Sequence, residues 1–323
     1  MKGLKTSLFI IIEIVFSPLT VVSALWSKLL ATVGFHRAVL AELIFTRLGV
    51  LPINDHYYQP LINPKKHLRY PLSKDRNLPG ISFNDHQQLS ILDNFDFNDE
   101  LLKIPLEAPK GEMTFYYNNH SFCSGDAEYL YNTVRFYKPN KIIEIGSGYS
   151  TLMIINALKK NRSENANQTI EHICIEPFEQ PWLEKMPAKI IRDKVENLSV
   201  EIFQSLREND ILFIDSSHMI RPQGDVLFEY LEILPILSPG VLVHIHDIFT
   251  PKDYLDEWVL KDHKLWNEQY LLEAFLSLND HFEVLGALNY LSHKYHRQFA
   301  NKSPVYAKHP GREPGSIWLR KIR

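Results

Sequence analysis

The chain has 323 residues, with 35 basic and 38 acidic side chains and a formal net charge of −3. That length suits one domain of about 200 residues with an extension of roughly a hundred, and the charge balance gives no ground for nucleic acid as a partner. The two cysteines, Cys123 and Cys174, fit no metal-binding spacing and build no disulfide framework, so a reducing, cytoplasmic setting is the simpler reading.

Residues 1–50 differ in character from the rest. The run "LFIIIEIVFSPLTVVSALW", Leu8 to Trp26, follows Lys2 and Lys5 and is almost wholly apolar, broken by Glu13 and Pro18. A charge in mid-span is costly in lipid. Three readings stand: a helical hairpin lying at the cytoplasmic face of a membrane, an outright span, or helices buried against a domain. Residues 51–120, rich in Pro, Asn, Asp and His, read as a connector that includes a lid or substrate-side segment, with "SILDNFDFNDELLKI" helical within it. Residues 121–323 read as the main domain. A helix through Phe136 opens it, capped by Ser124 with Asp126 and Glu128 in its first turn.

Regular alternation follows. "KIIEIG" predicts a strand, "STLMIINALKK" a helix, Asn161 to Thr169 a polar loop, "IEHICIEP" a second strand, and "EQPWLEKM" the start of a helical region. "LSVEIF" predicts the third strand, "DILFIDSS" the fourth, "QGDVLFEYLEILPIL" a helix and "GVLVHIHDIF" the fifth strand. The helix "NEQYLLEAFLSLND" and two late strands, "FEVLGALNYL" and "SIWLRKI", complete the series. Near-continuous apolar strands separated by helices give a doubly wound, mostly parallel α/β sheet covered on both faces, and a late pair can add an antiparallel edge.

In such a sheet the ligand lies beyond the carboxyl ends of the strands. The first ends in Glu144, Gly146 and Gly148, where missing side chains let the backbone approach a ligand, and the second ends in Glu176, placed to accept hydrogen bonds from a ribose. A dinucleotide site uses the same two features, but its fingerprint wants a third glycine where this chain has Thr151. The order of these motifs resembles the class I S-adenosylmethionine-dependent methyltransferases, over roughly residues 121–323, and within them the small-molecule and sugar O-methyltransferase group. The resemblance implies a Rossmann-like sheet of seven strands with the last antiparallel, S-adenosylmethionine held by Glu144, Gly146, Gly148 and Glu176, and methyl transfer to a hydroxyl of a small molecule, a glycan or a lipid-linked intermediate.

The fourth and fifth strand ends carry Asp215, His246 and Asp247. On neighbouring strands these two carboxylates and one imidazole offer ligands to a divalent ion, magnesium or manganese, although a metal-free polar site and plain loop hydrogen bonding remain open. The cluster resembles the magnesium site of the metal-dependent methyltransferases, with His246 where an acid is usual. His218 and His246 are the candidate general bases, while His244 reads as a satisfied buried histidine. Tyr254, Trp258, Asn267 and Glu268 are candidate substrate contacts, against the alternative that these aromatics simply pack. Three other functions stay open: a metal-dependent oxygenase or hydrolase, an NAD-dependent oxidoreductase, and a non-catalytic membrane-associated binding module. Oligomeric state is not legible.

Overall fold

The computed structural model describes residues 2–111, 113–166, 169–178, 180–309 and 311–323. They form two compact units that divide between Pro71 and Leu72, inside the segment read as a connector. In the first unit a helix runs Lys2–Val33 with Pro18 inside it, and a second runs Val39–Arg47. The 28 residues Thr6–Val33 are long and apolar enough to cross a membrane by length and composition. Phe9, Ile14, Leu19, Leu25, Val39, Leu40 and Leu43 all stand exposed along the two helices, leaving their apolar surface without cover inside this unit.

The second unit is built on a seven-stranded sheet ordered β3-β2-β1-β4-β5-β7-β6. β1 (Lys141–Ile145), β2 (Glu171–Ile175), β3 (Lys189–Ile191), β4 (Ile211–Ile214) and β5 (Leu242–His246) pair in parallel. β7 (Ser316–Lys321) runs antiparallel to β5 and to β6 (Phe282–Ala287). The apolar runs of β1, β4 and β5 are what burial on both faces demands, because alternate side chains enter opposite layers. Ile142, Phe213 and Trp318 pack in one layer, and Ile143, Leu212 and Ile245 in the other. The strand order reverses between β1 and β4, which opens a crevice at their carboxyl ends.

Several local expectations shift. The third strand is Lys189–Ile191, and Leu198–Phe203 is turn and a short helix, Glu201–Gln204. "LSVEIF" alternates like a strand, but Phe203 and Leu206, both buried, recur at helical spacing. The helix after β1 continues to Glu164, through half of the expected loop, because Asn161 is buried and bonded to Arg135 and to the Val134 carbonyl; Asn167 and Gln168 of that loop lie outside the described residues. The helix at Asp126–Tyr137 is capped by Gly125 instead of Ser124, with Glu128 accepting from the Gly125 N–H at 3.0 Å. Ser124 accepts from Arg312. "EQPWLEKM" yields only a turn of 3₁₀ helix at Leu183–Lys185, and "LNYL" leaves β6 to begin the helix Leu288–Lys294.

Candidate functional site

The crevice is a cleft of about 550 Å³ lined by Gly146, Ser147, Gly148, Glu176, Phe178 and Asp215 among others. Gly146 has φ +74°, and a Cβ there would lie 1.8 Å from the Asp215 carbonyl oxygen, so the end of β1 tolerates only glycine against β4. Gly148 differs. A Cβ on it would meet no protein atom within 4 Å, although the residue lines the cleft. The space which that Cβ would enter belongs to the cleft, the kind of cradle a close-approaching cofactor needs.

Glu176 lines the same cleft, its carboxylate fixed by the Ser147 N–H at 3.1 Å and the Phe178 N–H at 3.0 Å. Glu144 is placed otherwise than expected. It is fully buried beneath the turn, accepting from Ser150 at 2.6 Å and Thr151 at 2.8 Å with His172 at 3.1 Å. It therefore anchors the helix that follows the turn and presents no atom to the cleft. Phe178, exposed at the lip, was missed because the sequence around "EPFEQP" reads as an ordinary turn.

The titratable cluster lies where β4 and β5 end. His218 directs Nε2 between Asp215 Oδ1 at 3.2 Å and Asp247 Oδ2 at 3.3 Å, while its Nδ1 meets Glu268 Oε2 at 2.8 Å. Trp266 covers the ring at a centroid distance of 4.5 Å. Two non-glycine residues here hold left-handed backbone, His218 at φ +58° and Asp247 at φ +56°, a conformation that costs about 1 kcal/mol or more each. The surroundings of His218 enforce its conformation, since its carbonyl accepts the Asn267 and Glu268 N–H groups at 3.1 and 3.2 Å.

Burial opposes charge on His218, but Asp215, Glu268 and Asp247 outweigh it and hold the imidazole pKa well above its usual value. Burial likewise opposes charge on His246, and Asp247, Asp215 and Asp126 together raise its pKa. The two acids then part. Burial works against ionised Asp215, yet His246 and His218 hold its carboxyl below the usual range, whereas burial pushes Asp247 up in spite of the same two imidazoles. Burial and the neighbouring charges thus push the two acids in opposite directions and both imidazoles upward.

The ligand set differs in one member from that expected. Asp215, His218 and Asp247 bring one donor atom each within 4.8 Å of one another, and His246 stands behind them, its Nε2 3.6 Å from Asp247 Oδ1. Two carboxylates and an imidazole whose far nitrogen meets a buried carboxylate form a donor set suited to a divalent ion, with Glu268 orienting the ring. The sequence marks Asp126 only as a first-turn acid. It is buried, takes the Gly315 N–H at 3.1 Å and the Ser316 hydroxyl at 2.6 Å, and lies close enough to help raise the His246 pKa.

His244 is buried as expected, stacked 4.0 Å from Phe213, but neither ring nitrogen has a partner among the described residues, and burial followed by the His246 charge keeps it neutral. Of the four expected substrate contacts, Tyr254 lines a small cavity after β5 and the other three hold other places. Tyr254 is buried and accepts the Gln269 N–H at 3.0 Å, Trp258 packs on Phe249 and Trp266, Asn267 accepts the Ile220 N–H at 2.6 Å, and Glu268 is fully buried on His218 and Tyr230. Each supports the loops around the cluster.

A model of a methyltransferase domain matches residues 143–248, from β1 through the end of β5. Those residues are the ones that build the cleft and the Asp215, His218, Asp247 cluster, on a sheet whose strand order and antiparallel β7 are those of that fold. Residues 143–248 are a methyltransferase domain of the class I, S-adenosylmethionine-dependent kind. This methyltransferase is also 30% identical over 168 residues to an uncharacterized protein of Archaeoglobus fulgidus, 48% of this chain and 74% of that one. Among solved structures it is similar to the O-methyltransferase from Bacillus cereus in complex with S-adenosylhomocysteine, at 12% identity, covering 74% of this chain and 91% of that one with a TM-score of 0.35. A second is the O-methyltransferase TomG from Streptomyces achromogenes, with 12% identity, 75% and 92% coverage and a TM-score of 0.34.

Proposed function

We propose that this methyltransferase alkylates a hydroxyl of a small molecule at the end of β5, with Asp215, His218 and Asp247 binding a divalent ion beside it. The observation that carries the reading is the convergence of His218 Nε2 with two carboxylates next to a cleft whose floor is Gly146 and Gly148. S-adenosylmethionine supplies a methyl group already activated on a sulfonium, so the protein's task is alignment and proton removal.

Gly146 and Gly148 present backbone to the cofactor, and Glu176 accepts its ribose hydroxyls. Glu268 holds His218 by Nδ1 and leaves Nε2 turned to the carboxylates. With an ion on Asp215, His218 and Asp247, the hydroxyl proton would pass to His246, which is not among those three donors and whose Nε2 lies 3.6 Å from Asp247 Oδ1. A bound divalent ion would lie on Asp215, His218 and Asp247 and lower the pKa of the acceptor hydroxyl. The apolar surface of Lys2–Val33 and Val39–Arg47 further supports attachment to a membrane interface.

Titration calorimetry of the full chain with S-adenosylmethionine and S-adenosylhomocysteine, after chelation and again with manganese, tests the reading. Saturable binding of both nucleosides is expected. Failure of folded protein to bind either would overturn it. Flotation with liposomes, for the full chain and for a form lacking residues 1–50, tests the attachment: the full chain floats and the shortened form stays in the dense fraction.

A further inference from the structure

We infer, resting on the membrane attachment proposed above, that the first unit docks on an anionic phospholipid surface with the helix Lys2–Val33 lying in the membrane plane. Charge selects the lipid. Residues 1–71 hold eight Lys and Arg against Glu13, Glu42 and Asp55, a formal charge of +5, which leaves −8 on residues 72–323. An anionic surface therefore attracts the first unit and repels the second. Asp55 is already taken, by the Asn63 N–H at 3.0 Å, His67 at 3.2 Å and Lys66 at 3.9 Å. Lys28, Arg37, Arg47, Lys65 and Arg69 are exposed, and none has a carboxylate partner among the described residues. Asn54 donates to Thr32 at 3.1 Å, which ties the segment that leads to Lys65 and Arg69 back to the end of the helix that bears Lys28.

Spacing sets the posture of the helix. Glu13, Ser17, Thr20, Ala24 and Ser27 recur at intervals of four, three, four and three residues, so they share one face. Ile11, Val15, Val22, Leu25, Leu29 and Val33 fall on the opposite face, and each is exposed. Residues 14–27 are the uncharged stretch between Glu13 and Lys28, about 21 Å of helix against a hydrocarbon core of about 30 Å. A crossing therefore draws Glu13 or Lys28 into lipid, where a charge is costly. A helix in the membrane plane keeps Glu13 on its watered face, buries the apolar face, and leaves the cations at headgroup level.

Co-flotation of the full chain, diluted from detergent, with vesicles of phosphatidylcholine alone and of phosphatidylcholine containing about three parts in ten phosphatidylglycerol tests this. Binding to the anionic vesicles should be at least about tenfold tighter at low salt, and most of that advantage should vanish at about 0.5 M NaCl, where surface charge is screened. Lys28→Gln, Lys65→Gln and Arg69→Gln combined should weaken anionic binding at least about fivefold, with S-adenosylhomocysteine affinity within twofold of wild type. Gly3→Cys should react with a membrane-impermeant maleimide in intact vesicles, above the labelling of wild type. Equal or tighter binding to the neutral vesicles, undiminished binding by the triple variant, or protection of Gly3→Cys until detergent is added overturns the inference and leaves attachment standing. Flotation with neither vesicle, by protein that binds S-adenosylhomocysteine, overturns the attachment reading instead.

Discussion

Alanine at Gly146 and alanine at Gly148 should behave as opposites, although the two glycines lie one residue apart in the same turn. At Gly146 the new Cβ meets the Asp215 carbonyl oxygen at 1.8 Å with φ at +74°. Left-handed backbone for a non-glycine residue costs about 1–2 kcal/mol, and overpacking a rigid contact adds about 1–3 kcal/mol. The sum is a loss of about 2–5 kcal/mol, and relief of the overlap drives the end of β4 away from β1, carrying Asp215 off His218. At Gly148 the Cβ meets nothing of the protein, so stability should change by less than about 1 kcal/mol. Its cost falls on the ligand, whose space the methyl occupies. Urea denaturation followed by circular dichroism gives the stabilities, and calorimetry with S-adenosylhomocysteine gives the affinities. We expect Gly146→Ala to lose both, and Gly148→Ala to keep its stability and bind at least tenfold more weakly. Equal stabilities would refute the close-approach argument at Gly146, and undiminished affinity in Gly148→Ala would remove Gly148 from the cofactor site.

Three further outcomes are expected. Glu268→Leu strands a buried imidazolium that Asp215 and Asp247 still partly compensate, so it should cost about 3 kcal/mol, the lower end for a broken buried pair; Glu268→Gln retains an acceptor for Tyr230 and should cost about 1 kcal/mol, both read from urea midpoints. Burial raises the Glu128 carboxyl from its ordinary 4.5 to about 7, against the backbone N–H groups of Val305, Tyr306 and Gly125. A raised folded-state pKa gives stability that is complete below pH 4.5 and lost as pH climbs through 7, about 3 kcal/mol in all; Glu128→Gln should flatten that slope, which denaturation at pH 5 and pH 8 will reveal. Manganese resonance spectra should report one bound ion in wild type and in His246→Gln but none in Asp215→Asn or His218→Gln, and loss in His246→Gln with retention in His218→Gln would restore the triad expected from sequence.

Much of the site was visible as strand ends. The glycines, Glu176, Asp215 and Asp247 stand where a doubly wound sheet must place ligands, because four apolar runs fix where β1, β2, β4 and β5 stop. His218 was visible as a candidate base, yet its membership of the donor cluster was not. His246 and Asp247 are adjacent in sequence and look like a natural pair, but left-handed backbone at Asp247 turns its carboxylate toward His218 and leaves His246 behind. Glu144 misled for the opposite reason. An acid before a glycine turn suits a ligand contact, and only the packing of Ser150, Thr151 and His172 around it shows that its oxygens are taken.

What the sequence determined is therefore local and periodic: apolar runs long enough for buried strands, a glycine turn, an apolar N-terminal segment, and the order in which they follow. The tertiary structure decided which side chains meet. Glu268 reaches His218 across fifty positions of chain, and Asn289, on the helix after β6, donates to Glu313 in the segment before β7. Neither contact leaves a periodic trace, because hydrogen bonds of that kind depend on loop backbone angles and on the stacking of distant elements, whereas strand burial depends only on neighbours two residues apart.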